Sequence, residues 1–246
     1  MLDLIEENEK EEIRKFFNNK KHGVCVEVGS NEPTDVTSQS WHLEDKLNWE
    51  CILVEPNSNL VTKTKKIRPK ARIHDCACVG NENAGYMELH IPLTPNGTMV
   101  TGHASLDKNV DEHNYKAHKS IKVKTETLTN ILKYEGIHTF DFLSIDVEGT
   151  ELEVLKGLDL KTYRPKLILL EDKHLYLKKH LYLKGKGYVL VRRLNRNCWY
   201  VPWNSSGVYL KPIERLKLFK RVYLNLWFNK LEYSLKHKTL RPFKSL

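Results

Sequence analysis

Apolar and polar residues follow one another along this chain in blocks that switch between two periods. Three short apolar runs, Val24–Gly29, Cys51–Glu55 and Arg72–Val79, read as strands. Between them, Thr37–Leu47 and Asn59–Ile67 repeat their apolar positions at helical spacing, so the first third of the chain predicts a βαβαβ half. Glu88–Pro92 and Ile121–Thr125 alternate like edge strands, and the Asn-, Gly-, Thr- and His-rich stretch Thr94–Ser120 reads as a long loop. A loop of that length inside a compact domain is usually functional or mobile. The pattern then predicts a helix over Thr127–Tyr134, a fourth strand over Phe140–Val147, a fifth over Lys166–Leu170 after Pro165, and a helix over Leu175–Lys184. Tyr188–Leu194 and Cys198–Val201, separated by Asn195-Arg196-Asn197, form a closing antiparallel hairpin. Pro212 opens a last amphipathic helix running to about Lys236.

These blocks divide the chain into an N-terminal helical segment (1–22), one α/β domain (23–210) and a tail (211–246). The 246 residues suit a single α/β unit, and 40% hydrophobic content fills its core. No stretch approaches the ~20 apolar residues of a membrane span, and the acidic, amphipathic start is unlike a secretory signal. A cytoplasmic location is expected. The five cysteines are odd in number and lie mostly within strands, which suits buried thiols better than disulfides. Cys76-Ala77-Cys78 lacks the spacing of a zinc site and reads as core.

Charge is concentrated at one end. Residues 211–246 hold ten Lys/Arg and two Glu, which is +8 of the net +9. A nearly neutral body with a cationic tail implies an anionic partner for the tail. Lys and Arg flanking Trp, Phe, Tyr and Leu is the composition of a helix lying in an anionic membrane interface. The alternatives are packing on its own domain or in a homodimer, and contact with nucleic acid.

The most informative segment is Asp141–Gly157, DFLSIDVEGTELEVLKG. An apolar strand stops at Asp146-Val147-Glu148-Gly149, and helical spacing resumes at Leu152, Leu155 and Leu158. In open α/β sheets ligands bind at such carboxyl ends. Glu148 and Glu151 also suit the first turn of a helix electrostatically.

That segment, the preceding VKTETLTNIL and the earlier VEVGSN…SQSWHLEDKLNWECILVEPN together resemble the FkbM family of S-adenosylmethionine-dependent methyltransferases, from about Val24 to Trp203. The resemblance implies a Rossmann-like class I methyltransferase fold, with a seven-stranded, mostly parallel sheet ending in an antiparallel hairpin. It also implies methyl transfer to a hydroxyl oxygen, with saccharides and polyketides among the family's acceptors. Family members commonly carry a glycine-rich turn after the first strand, whereas Gly29-Ser30-Asn31-Glu32-Pro33 has one glycine.

S-adenosylmethionine presents an amino-acid end, a ribose diol and an adenine. Gly29 permits close backbone approach, Glu27 accepts bonds around the amino-acid end, and Ser30 and Asn31 continue that turn. Glu55, followed by Pro56, is placed to grip ribose hydroxyls, and Asp75 and Cys76 to reach the adenine edge. For the chemistry two routes are open. In the first, Asp146, Glu171 and Asp172 converge at strand ends to hold Mg²⁺, a pattern that looks like the acid sets of magnesium-dependent macrolide-sugar O-methyltransferases. In the second, His174 or His103 is the general base, and Glu148 orders the site or binds acceptor. The leading expectation is an O-methyltransferase for a saccharide or glycolipid precursor, peripheral on the inner face of a membrane. The alternatives are an RNA ribose 2′-O-methyltransferase, disfavoured by the acids of the fifth strand, and a non-catalytic interaction protein of the same fold.

Overall fold

The computed structural model describes residues 2–34, 38–80, 85–108, 115–172, 176–194, 196–205 and 210–238. Helix α1 (Leu2–Phe16) leads into a βαβαβ half made of β1 (Val24–Val28), α2 (Trp41–Leu47), β2 (Glu50–Glu55), α3 (Ser58–Ile67) and β3 (Arg72–Asp75). An excursion follows, comprising β4 (Ala77–Cys78), β5 (Tyr86–Leu93), a 3-10 turn at Thr101–His103 and β6 (Ala117–Glu126). The second half holds α4 (Leu128–Tyr134), β7 (Phe142–Ile145), α5 (Glu151–Lys156), β8 (Leu167–Glu171), α6 (Lys178–Gly185), β9 (Tyr188–Leu194) and β10 (Asn197–Pro202). The chain ends in α7 (Pro212–Phe219), a π turn at Lys220–Leu224 and α8 (Leu226–His237).

The main sheet has seven strands in the order β3-β2-β1-β7-β8-β10-β9, and only β10 runs antiparallel to its neighbours. Strand order reverses between β1 and β7, so their carboxyl ends flank the switch point at which open α/β sheets bind ligands. The central strands are buried on both faces, as parallel strands covered by helices must be. Their side chains alternate accordingly. Val26, Val28, Ile52, Val54, Leu143 and Ile145 join one core cluster with Leu128, Ile131 and Leu155 of α4 and α5. Cys25, Cys51, Leu53 and Phe142 join the other with Ile13, Leu43 and Trp49. Helix α1 is tied to the far edge of this layer by Glu9, which accepts bonds from Trp199 Nε1 (2.9 Å) and Asn197 Nδ2 (2.6 Å). Local signals fix the helix starts: Asn57 Oδ1 accepts from Asn59 N and Thr127 Oγ1 from Asn130 N.

Three elements differ from the sequence expectation. The apolar run Arg72–Val79 is not one strand: β3 pairs with β2 as far as Asp75, then the chain crosses to a second sheet where Ala77–Cys78 pairs with Thr125–Glu126. Glu88–Pro92 and Ile121–Thr125 extend to become β5 and β6, which pair with each other in that three-stranded sheet and not along the edge of the main one. The terminal helix is broken by its π turn. The helices expected from Thr37 and Leu175 begin at Trp41 and Lys178; Thr37 and Leu175 themselves lie outside the described residues. No helix among the described residues is long and apolar enough to cross a membrane.

Phe142 has no solvent exposure and packs with Phe17, just past α1, with ring centroids 6.1 Å apart. Phe142→Ala should lower unfolding free energy by about 3–5 kcal/mol, whereas Tyr134→Ala, at an 84% exposed position, should change it by less than about 0.5 kcal/mol. Urea melts of both variants check the ordering, and equal effects would contradict the assignment of this face as core.

Candidate functional site: a cleft at the carboxyl ends of the central strands

A cavity of about 390 Å³ opens where β1, β2 and β7 end, walled on its far side by the second sheet. Gly29 makes this geometry possible. Its φ is +84°, and a Cβ there would lie 1.8 Å from the carbonyl oxygen of Asp146. Main-chain bonds from Gly29 N to Val54 O (2.9 Å) and from Asp146 N to Val28 O (3.0 Å) hold the three strand ends together.

Glu55 closes β2 and is buried. Its carboxyl accepts from Asn31 N and Asn57 N, both at 2.9 Å. Burial nevertheless pushes its pKa up to about 7; the two N–H groups oppose that shift and the neighbouring Asp75 carboxylate adds to it. Ser30 Oγ, Asn31 Oδ1 and Gln39 Oε1 line the same cavity, are buried, and have no hydrogen-bond partner among the described residues. A buried polar atom left so costs about 1–3 kcal/mol, so three of them facing one cavity mark a place where a polar ligand would restore the lost bonds. Cys76, Ala77, Cys78, Leu89 and Leu106 supply an apolar slot beside them. Burial pushes the Cys76 thiol up to about 12, which makes it a small apolar wall at neutral pH.

Glu27 also lines the cavity, yet its carboxylate is bonded to Ser38 Oγ (3.2 Å), Gln39 N (2.6 Å) and Ser40 Oγ. Arg68, almost wholly buried, ties the same segment down through Ser40 Oγ (2.9 Å), Pro33 O (3.2 Å) and Glu44 (2.6 Å). Together they present Gln39 to the cavity.

The acidic corner follows β7. Glu148 (φ +54°) and Gly149 (φ +108°) turn the chain back on itself, and Ser105 Oγ donates to Glu148 O at 2.8 Å. Ligand-capable oxygens of Asp146, Glu148 and Glu171 all lie within 4.8 Å of one another. The adjacent acids face elsewhere. Lys179 Nζ pairs with Asp172 and Glu151, each at 3.1 Å, and donates to Glu171 O at 3.1 Å. Burial works against its charge, but Glu151 and Asp172 outweigh burial and raise its pKa.

Among the residues expected from sequence, Glu27, Gly29, Ser30, Asn31, Glu55, Pro56, Cys76, His103, Asp146 and Glu148 line the cavity. Asp75 is exposed and outside that lining. Of the acids expected to converge, Asp146 and Glu171 do, joined by Glu148, while Asp172 is directed to Lys179. His103 stands across the cavity with Nδ1 3.1 Å from Tyr115 Oη. His174 lies outside the described residues. Gln39, Asn197 and Lys179 were not expected. Gln39 sits in a polar Ser-Gln-Ser ahead of α2, a signal that reads as an ordinary helix start.

A family model described as "Methyltransferase FkbM domain" matches residues 27–190, more than half of the chain. No curated protein gives a match to the sequence. Among solved structures, a SAM-dependent methyltransferase from Aquifex aeolicus is 15% identical with a TM-score of 0.39, covering 78% of this chain and 87% of that one. Precorrin-6y C5,15-methyltransferase from Geobacter metallireducens GS-15 is 11% identical with a TM-score of 0.38, covering 74% and 79%.

The raised pKa of Glu55 has a sign that can be measured. A folded-state value of about 7 against an ordinary 4.5 gives a contribution to stability that is complete below pH 4.5 and lost as pH rises through 7. Glu55→Gln removes that loss, so the stability of the variant relative to wild type should improve by about 2–3 kcal/mol between pH 4.5 and 8 in the ligand-free protein. Denaturation at both pH values checks it, and a constant difference would refute the buried, neutral carboxyl.

Proposed function

The chain belongs to the FkbM methyltransferase family, and from that premise we propose that it transfers a methyl group from S-adenosylmethionine to a hydroxyl oxygen of a saccharide or glycolipid precursor. The observation that carries the finer part of this reading is the meeting of Asp146, Glu148 and Glu171 beside the cavity. A sugar hydroxyl is a weak acid and a poor nucleophile. As the carbon–sulfur bond breaks and the carbon–oxygen bond forms, its proton must leave, and an acidic cluster at the acceptor side serves that need.

The residues fit the cofactor's parts in turn. Asn31 Oδ1 and Gln39 Oε1 offer acceptors for its ammonium, and Ser30 Oγ offers a donor for its carboxylate. Glu55, held by two backbone N–H groups, accepts from the ribose diol. The Cys76–Cys78 edge and Leu89 flank the adenine ring. When bound, the cofactor supplies an activated methyl group on a sulfonium sulfur.

Three carboxylates form a hard-oxygen donor set that fits Mg²⁺. Asp146, Glu148 and Glu171 would hold it, and it would lower the acceptor hydroxyl's pKa. Lys179 serves this arrangement by neutralising Glu151 and Asp172, which limits the charge concentrated behind the ligands. His103, oriented by Tyr115, is placed across the cavity to accept the departing proton. His174 stays a second candidate base on sequence grounds. A phosphodiester-linked acceptor fits less well, because the acids that meet at the cavity would repel its backbone.

Two measurements test this reading. Titration calorimetry should detect S-adenosylmethionine binding to wild type and a loss of about 1–3 kcal/mol in Glu55→Ala, where the ribose loses its hydrogen-bond acceptor; no binding to well-folded wild type defeats the cofactor assignment. With nucleotide sugars and lipid-linked glycans as acceptors, chelation and Glu148→Gln should each cut turnover by about 100-fold or more while cofactor affinity holds. Asp172→Asn should instead lower stability, since Lys179 loses a buried partner. Full turnover after exhaustive chelation eliminates the metal and leaves the histidines.

A further inference from the structure

The C-terminal helices present two chemically different faces. On the inner face Val222 is buried and Tyr223 Oη meets His180 Nε2 at 3.0 Å. Beside them the Arg221 guanidinium donates to Arg193 O at 3.2 Å. Leu218 and Val222 also wall a cleft against Tyr188 and Leu190. This face fastens the segment to the domain. On the outer side, Leu216, Leu224, Trp227, Phe228 and Leu235 are each between 58% and 72% exposed. Large apolar side chains gathered on one segment to that extent mark an interaction surface.

Charge selects the occupant. Residues 212–238 hold seven Lys/Arg against two Glu, so a two-fold contact between copies would bring two cationic surfaces together. Nucleic acid would satisfy the cations but offers nothing to Leu216, Leu224 and Leu235. An anionic bilayer satisfies both, because lipid headgroups pair with Lys and Arg while Trp, Phe and Leu insert below them. The placement also suits a membrane-side enzyme. Arg193, which anchors the helix, precedes Leu194, and Leu194 pairs in register with Asn197, a residue lining the cavity.

We infer that residues 212–238 form a docking surface for an anionic membrane, fixed to the domain by Val222, Tyr223 and Arg221 and inserting through Leu224, Phe228 and Leu235. The inference goes beyond methyl transfer and stands without it.

Co-sedimentation of the full chain with vesicles tests it, comparing phosphatidylcholine alone with phosphatidylcholine plus phosphatidylglycerol. Each cation near an anionic surface is worth roughly a factor of five in partitioning, so Lys217→Glu, Lys220→Glu and Lys236→Glu combined should weaken binding by about 100-fold. Phe228→Ser with Leu235→Ser should remove the fraction that survives high salt. Both sets alter exposed positions, and unchanged S-adenosylmethionine binding and circular dichroism will show that the domain is intact. Equal binding to neutral and anionic vesicles overturns the inference. So does an intact protein that ignores vesicles but dimerises through Phe228 and Leu235 in sedimentation velocity, or one that binds RNA and no vesicle.

Discussion

The approach of β1 to β7 is the constraint on which the site depends. With no side chain at Gly29, the main chain of Asp146 can pass within contact of it, and the carboxyl ends of two central strands share one rim. From that rim the turn through Ser30 and Asn31 goes one way and the acidic corner through Glu148 goes the other. A single Cβ would part them, separating the Ser30–Asn31 wall of the cavity from the acidic corner. The one glycine left in a turn that is commonly glycine-rich in the family is the one this contact requires.

Around that rim, the acids differ in their partners. Glu27 is satisfied by three donors from Ser38–Ser40 and lies near the Arg68 guanidinium, so its role is to hold a neighbouring segment. Glu151 and Asp172 share Lys179. Glu55 accepts from two backbone N–H groups, while Asp146, Glu148 and Glu171 lie close together and Glu171 also meets Arg196 Nη1 at 3.5 Å.

The sheet was readable in the sequence because parallel strands buried on both faces are continuous apolar runs, and the runs at Val24, Cys51 and Phe142 have no competing interpretation. The strand-end positions of Gly29, Glu55 and Asp146 followed from the same runs. The break after Asp75 was not readable, since an apolar segment that changes sheets has the same composition as one that does not. The separation of Asp172 from Glu171 was hidden for a different reason: Lys179 is a distant residue of an unremarkable helix, and its choice of partners is tertiary. Gln39 escaped notice because its importance comes from Glu27 and Arg68, which hold its backbone in place.

The second sheet is closed on itself. Strands β5 and β6 satisfy their ladder against each other over eight residue pairs, and Ser105 Oγ bonds this excursion to the acidic corner. Loop-closure entropy rises slowly with length, so the chain between Leu93 and Ala117 can grow, shrink or change composition at little cost to the main sheet. The excursion is in effect a separable cassette: it walls one side of the cavity while β5 and β6 pair with each other. A chain built on this plan can reshape one wall of its cavity by rewriting that loop while the half that holds Gly29 and Glu55 stays as it is.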